Sequence, residues 1–338
     1  MLTQRLTSQL LSGPPARDPV AVAERLLAIQ GQDPRGARLA VRVRTKGLTA
    51  ADVDRALTVD RSLLITWLNR GTLHLVRSED YPWLHALTTP PLLAGNARRL
   101  AQLGVTPSAA DRGVTMIERS LTEEGPLTSK QLRERLQAAN VRAEGQALAH
   151  VIGLAALRGV LVRGPMVGKQ HAYVLTRDWL GKAPPVDRDK ALAELARRYL
   201  AGHGPADDRD LAKWAGLPLG DARAGLSAIA PELEQREGSL VHLRKARPAA
   251  ELPPPRLLGA FDPVLLGWTS RQDIVGSHAH LIAAGGLFRP FALVEGRAVG
   301  TWSLQAGEVK LTPFGRLNRR DAATLEADAA DVARFLAS

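Results

Sequence analysis

The feature that most limits how this chain can fold is an internal repeat. A helix over 108–123 leads into Gly125-Pro126, and a helix over 190–200 leads into Gly204-Pro205. In each copy a leucine follows the glycine by seven residues, Leu132 in the first and Leu211 in the second. The first copy continues with helices over 129–137 and 144–158, then a β-hairpin over 160–165 and 170–175. The second continues with a helix over 220–229, then a hairpin over 233–236 and 240–243. Three helices followed by a hairpin is the winged-helix order, here with a period near 80 residues.

The remaining segments fit around this repeat. Asp18-Pro19 and Asp33-Pro34 each pair an N-cap residue with proline at the first helical position. They predict helices over 19–29 and 34–44, with a third capped by Thr49 over 49–58 and strand-like runs over 63–68 and 70–76. Pro253-Pro254-Pro255 marks a boundary. Beyond it, short apolar runs and glycine turns read as an antiparallel sheet, closed by an amphipathic helix over 319–336. The expected class is α+β: tandem winged-helix units with a C-terminal antiparallel β-domain. Its blocks are 1–100, 101–185, 186–250 and 251–338.

Composition narrows the chemistry. Of 338 residues, 45 are Lys or Arg and 34 Asp or Glu, a net charge of +11. That excess points to a polyanionic partner, double-stranded DNA above all. The other reading is an arginine-rich composition with incidental charge. The chain has no Cys, which excludes disulfides, thiol nucleophiles, iron–sulfur clusters and Cys-ligated zinc. Its eight His show no HExxH-type spacing, so no metal and no cofactor are expected. No apolar run approaches the ~18 residues of a membrane span. Met1-Leu2-Thr3-Gln4-Arg5 opens without an apolar signal core, so a cytoplasmic protein with no membrane partner is expected.

The charge is unevenly placed. The segment 144–158 is mostly apolar, and 207–237 has seven acids against four bases. The repeats' own recognition helices therefore read as packing elements. By contrast, 34–46 holds Arg35, Arg38, Arg42, Arg44 and Lys46 and no acid. Arg35, Arg38 and Arg42 fall on one helical face, as a DNA-facing patch or simply a solvated basic one. Further candidates for contact with DNA are Arg70, His74, Lys169, Arg297 and Arg316, with Arg98, Arg99, Arg319 and Arg320 as weaker ones. For His74 the alternative is a hydrogen-bonded core histidine, and for the hairpin tips at 167–169 and 295–297 it is a solvent-exposed turn.

Gln30-Gly31-Gln32 lies in the elbow between the first two of these helices. On a helix continued to 29, Gln30 falls at i+4 from Leu26 and points to the apolar face, while Gly31 lets the chain turn. Periodicity alone leaves both glutamines readable as helix-end caps. The neighbouring carboxylates have ready structural roles: Asp33 as an N-cap, and Asp262 in Phe261-Asp262-Pro263 as a turn residue.

Three stretches carry a resemblance to a known family. They are Leu26-Leu27-Ala28-Ile29-Gln30-Gly31-Gln32-Asp33-Pro34, then Trp67-Leu68-Asn69-Arg70-Gly71-Thr72-Leu73-His74-Leu75-Val76 with Asp80, and a C-terminal pair. That pair is Leu258-Gly259-Ala260-Phe261-Asp262-Pro263-Val264-Leu265-Leu266-Gly267-Trp268 and Gly296-Arg297-Ala298-Val299-Gly300-Thr301-Trp302. The chain resembles, over nearly its whole length, the bacterial winged-helix DNA glycosylases of the AlkZ/YcaQ group. The resemblance implies tandem winged helices with a C-terminal β-domain and removal of alkylated bases from DNA. It implies a Gln-x-Gln motif essential for excision, matched by Gln30 and Gln32. The family's aliphatic middle residue is here Gly31. Excision of bulky adducts of a self-made genotoxin, or of interstrand crosslinks, also follows from the resemblance alone.

The chemistry is coherent by itself. An N7-alkylated purine is cationic and leaves without a general acid. Glycosidic cleavage passes through an oxocarbenium-like state. What remains is to place a water, which a glutamine amide can do by accepting through its oxygen and donating through its NH2. No lysine occupies the elbow, so a monofunctional enzyme is expected, acting as a monomer on duplex DNA carrying alkylated purines. The alternative is a non-enzymatic winged-helix DNA-binding protein or transcriptional regulator.

Overall fold

The computed structural model describes residues 1–168 and 170–337. They form two compact units, one of residues 55–191 with 215–217, the other of residues 1–54, 192–214 and 218–338.

In the first unit, Thr106 caps the helix Pro107–Glu124 through its side chain, with proline at N1. Thr128 and Gln131 form a reciprocal capping box at the start of Ser129–Ala138. The third helix, Gln146–Leu157, is buried on all residues from Val151 to Leu157. It is a packing element, as its apolar sequence requires. The hairpin Leu161–Val167 and Gln170–Leu175 follows, and Leu127 bridges Tyr173, adding the short third strand of a winged helix. Ile117, Leu121, Leu132, Leu136, Val151 and Leu161 form the core. A second hairpin, Leu63–Leu68 with Thr72–Arg77, lies beside it, with Ile65 opposite Arg163. The short segment 215–217 belongs here because Gly216 sits against the backbone of Arg70, where a Cβ would come within 2.6 Å of the amide nitrogen.

The second unit repeats the plan. Helix Arg188–His203 precedes Asp208–Ala215 and Leu219–Ala228, and the hairpin is Leu233–Gln235 with Val241–Leu243. Ala206 bridges Val241 just as Leu127 bridges Tyr173. The two bridges lie at the same offset from their Gly-Pro pairs, so the repeat read from spacing is also a repeat in hydrogen bonding. The C-terminal sheet has four antiparallel strands in the order Glu308–Pro313, Arg297–Gln305, Phe291–Val294, Arg256–Leu258. The terminal helix Arg319–Leu336 buries Leu325, Val332 and Phe335. Among the described residues no helix is long and apolar enough to cross a membrane.

The packing units do not follow the four linear blocks. The block 1–100 divides after Asp54, and its first part packs with the second winged-helix repeat and the C-terminal sheet. The reason is chemical. Helix Pro34–Arg42 presses Gly36 against the carbonyl of Ala260, so closely that a Cβ on Gly36 would lie 2.3 Å from that oxygen. Among the described residues, strand Arg256–Leu258 has a strand neighbour on one side only. Its open edge is closed by side chains: Arg42 donates to the Leu257 carbonyl (2.8 Å), and Asp328 accepts from the Leu257 amide (2.7 Å).

Candidate active site

The glutamine elbow differs from the helical reading. Helix Pro19–Leu26 stops three residues early, because Leu27 adopts φ +64°. The chain then runs extended through Ile29 and Gln30. Leu27 makes the reversal, and Gly31 has no positive φ. Gln30 is therefore buried by an extended segment and not by a helical face. Leu is disfavoured in this region, so no local signal announced the turn.

Within the elbow the two amides are joined. Gln30 Nε2 donates to Gln32 Oε1 at 2.5 Å, with Gln30 only 6% exposed and Gln32 exposed. Asp33 caps the next helix, accepting from the amides of Arg35 and Gly36 at 2.9 and 3.2 Å. Gln32 thus sits immediately before a helix N-terminus whose position is fixed by Gly36 on Ala260.

The five bases that follow do not form one cationic face. Arg35 and Lys46 are exposed. Arg38 is buried and bound to Asp54 through Nε (2.8 Å) and Nη2, with Nη1 on the Pro34 carbonyl (2.8 Å). Arg42, 3% exposed, grips Asp328 with both Nη atoms at 3.1 and 2.9 Å and reaches Asp331 at 2.8 Å. Hydrogen bonds from Arg334 and Arg42 hold the Asp331 carboxyl below its usual range, against the opposing pull of burial. Arg44 is fully enclosed with Asp262: Nη1 and Nη2 reach the two carboxylate oxygens at 2.9 and 2.8 Å. Its other donors go to the carbonyls of Gln9 and Ala40 and to the Gln9 side chain. Of the expected DNA-facing set of Arg35, Arg38, Arg42, Arg44 and Lys46, three (Arg38, Arg42 and Arg44) are therefore turned inward, because arginines on a packed segment must take carboxylates inside. Asp262 also accepts from the Val264 amide (3.0 Å), so it is both the turn residue and the partner of Arg44.

The remaining candidates divide similarly. His74 is buried, its Nδ1–H donating to the Thr72 carbonyl at 3.0 Å. Burial first, then the Arg70 charge, push its pKa down to about 3, so it is a neutral core histidine and not a surface contact. Arg70 itself, at φ +53°, is pushed down to about 10 by burial. Beside it Asn69 is fully buried with neither amide atom hydrogen-bonded among the described residues, a residue the sequence reading named but gave no role. Arg297 is exposed, but its turn is not free: Gly296 is buried against Leu2 and Leu6. Arg98, Arg316, Arg319 and Arg320 are exposed, and Arg99 donates to Gln102 and Gln146. Lys169 lies outside the described residues. The acids Asp54, Asp328 and Asp331 were not anticipated. The last two lie almost 300 residues from Arg42 in the chain, and nothing local marks them as its partners.

The class of protein to which this fold and elbow belong follows from comparison with known proteins. Residues 23–335 match the family model described as DNA glycosylase AlkZ-like. The chain is 31% identical over 340 residues to the interstrand DNA cross-link repair glycosylase of Streptomyces sahachiroi, covering 93% of this chain and 89% of that protein. The solved structure of the Streptomyces sahachiroi DNA glycosylase AlkZ superposes with a TM-score of 0.82 at 27% identity, over 99% of this chain and 95% of that one. The chain belongs to the AlkZ-like DNA glycosylases, hydrolases acting on N-glycosyl bonds.

Proposed function

We propose that this protein hydrolyses the N-glycosidic bond of N7-alkylated purines in duplex DNA, bulky adducts and interstrand crosslinks included, with Gln30 and Gln32 placing the attacking water. The observation that carries the reading is the 2.5 Å hydrogen bond from Gln30 to Gln32. It fixes the orientation of the exposed amide while leaving Gln32 one lone pair on Oε1 and both N–H groups to hold a water. Pre-set geometry of this kind is worth several kcal/mol, on the order of half the ~7–11 available from orientation. Gln30 is the positioning residue and Gln32 the group that meets the water.

Two further points support this assignment. The carboxylates that would compete as general bases have other work: Asp33 caps a helix, and Asp262 is enclosed with Arg44. A site built on neutral amides suits a base that is already cationic, and gives no help to a neutral one. The start of helix Pro34–Arg42 next to Gln32 favours a partly ionised water. We take the enzyme to be monofunctional, monomeric and cytoplasmic.

The test is release of 7-methylguanine from duplex DNA, read as alkali-labile abasic sites. Wild type is expected to release it, and Gln30→Ala and Gln32→Ala to lose at least a hundredfold in single-turnover rate while binding the duplex normally. Full activity in both variants would overturn the assignment.

A further inference from the structure

A cleft rimmed by arginines, separate in its residues from the glutamine elbow, lies in the larger unit. It opens between helix Pro19–Leu26 and the end of helix Arg188–His203, with a volume of about 460 Å³. The two helices meet closely there: a Cβ on Gly202 would lie 2.3 Å from the Arg25 carbonyl. Four guanidinium groups line the cleft, Arg17, Arg25, Arg198 and Arg247, against a single carboxylate, Glu24.

Two of the four have carboxylates nearby: Arg17 pairs with Asp18 at 2.9 Å, and Arg198 lies 3.8 Å from Glu194. Arg25 gives one hydrogen bond, to the Ala201 carbonyl at 3.1 Å. Arg198 donates to the Glu24 backbone carbonyl at 2.7 Å. Arg247 is exposed, and its own carbonyl accepts from Gln4. Arg25 and Arg247 stand near enough to repel. Burial and then the Arg247 charge lower the Arg25 pKa, and Glu24 offsets this only in part. Buried His242 feels the same field, depressed by burial and then by Arg236 and Arg25. Two like charges held together beside an open cleft destabilise each other until an anion arrives. Guanidinium forks match phosphate oxygens in geometry.

We propose that this cleft is a phosphate-binding subsite, in which Arg25 and Arg247 hold one phosphate group between them. The shared chemistry has two sources, a backbone phosphate of a DNA strand or a free phosphate ester. The subsite does not depend on the glutamine mechanism, and undamaged DNA tests it without any base excision.

The experiment compares wild type with Arg247→Gln, an exposed position, and with Arg119→Gln as an exposed control in the other unit. Binding to undamaged duplex is measured across salt concentration, and melting temperature across inorganic phosphate at constant ionic strength. A backbone phosphate predicts that Arg247→Gln lowers the salt slope by about one, as for the loss of one phosphate contact, with no change in Arg119→Gln. A free phosphate ester predicts that millimolar phosphate raises the wild-type melting temperature and not that of Arg247→Gln, with the salt slopes equal. The proposal is overturned if neither quantity changes, or if Arg119→Gln lowers the slope as much as Arg247→Gln.

Discussion

Arg44 and Asp262, 218 residues apart, face each other in a two-pronged ion pair from which water is wholly excluded. Removal of one partner leaves a buried charge without its counterpart, which costs about 3–5 kcal/mol. Asp262→Ala is expected to lower the melting temperature sharply. Replacing the pair together, as Arg44→Met with Asp262→Leu, is expected to recover most of the loss. Chemical denaturation of the three proteins checks this, and a double variant no better than the single one would refute it.

The nearest carboxylate to the elbow offers a sharper test of the catalytic reading. Asp33→Asn keeps the helix cap, since Asn caps as well as Asp, and removes the charge. Release of 7-methylguanine is expected to stay within about threefold of wild type, far from the ~10²–10⁴ that removal of a general base costs. A hundredfold loss would make Asp33 the base and demote the glutamines.

Gly36→Ala distinguishes two opposed effects. Alanine in a helix interior gains about 1 kcal/mol over glycine. Here the added Cβ meets the Ala260 carbonyl, and forcing backbone apart costs about 1–3 kcal/mol. The variant is expected to melt lower than wild type and to lose excision activity, since the helix that follows Gln32 must shift. A higher melting temperature would contradict the close approach.

Two histidines set a pH dependence of stability. Burial lowers the pKa of His74 to about 3 and of His242 to about 4, from an ordinary 6.5. Both stay neutral in the folded protein at pH 5, while the unfolded chain takes up a proton at each. Stability is therefore intact above pH 6.5 and falls as the pH drops from there toward 4. At pH 5 the loss is up to about 2 kcal/mol per histidine. Melting temperatures of wild type and His242→Gln at pH 7 and pH 5 test it. The variant is expected to lose less on acidification.

Much of the architecture was legible because its signals are local. Asp18-Pro19 and Asp33-Pro34 announce helix starts, and both caps are formed. The terminal helix runs over Arg319–Leu336, where its apolar spacing placed it. The repeat was visible in the offset from Gly-Pro to leucine. The arginine partners were not legible. Helical spacing shows that Arg35, Arg38 and Arg42 share a face, but not whether the face meets water or a distant carboxylate. The left-handed turn at Leu27 was equally silent, because it runs against the residue's own preference.

The Arg42–Asp328 and Arg44–Asp262 pairs also bear on when this protein can begin to act. Both glutamines and the arginines that flank them lie close together, within residues 30–44. Yet the carboxylates that neutralise Arg42 and Arg44, and the strand edge that Arg42 closes, are translated more than 200 residues later. A half-synthesised chain thus carries both glutamines just before a helix whose Arg42 has no carboxylate to meet. The settled position of the glutamine elbow thus depends on segments translated long after it.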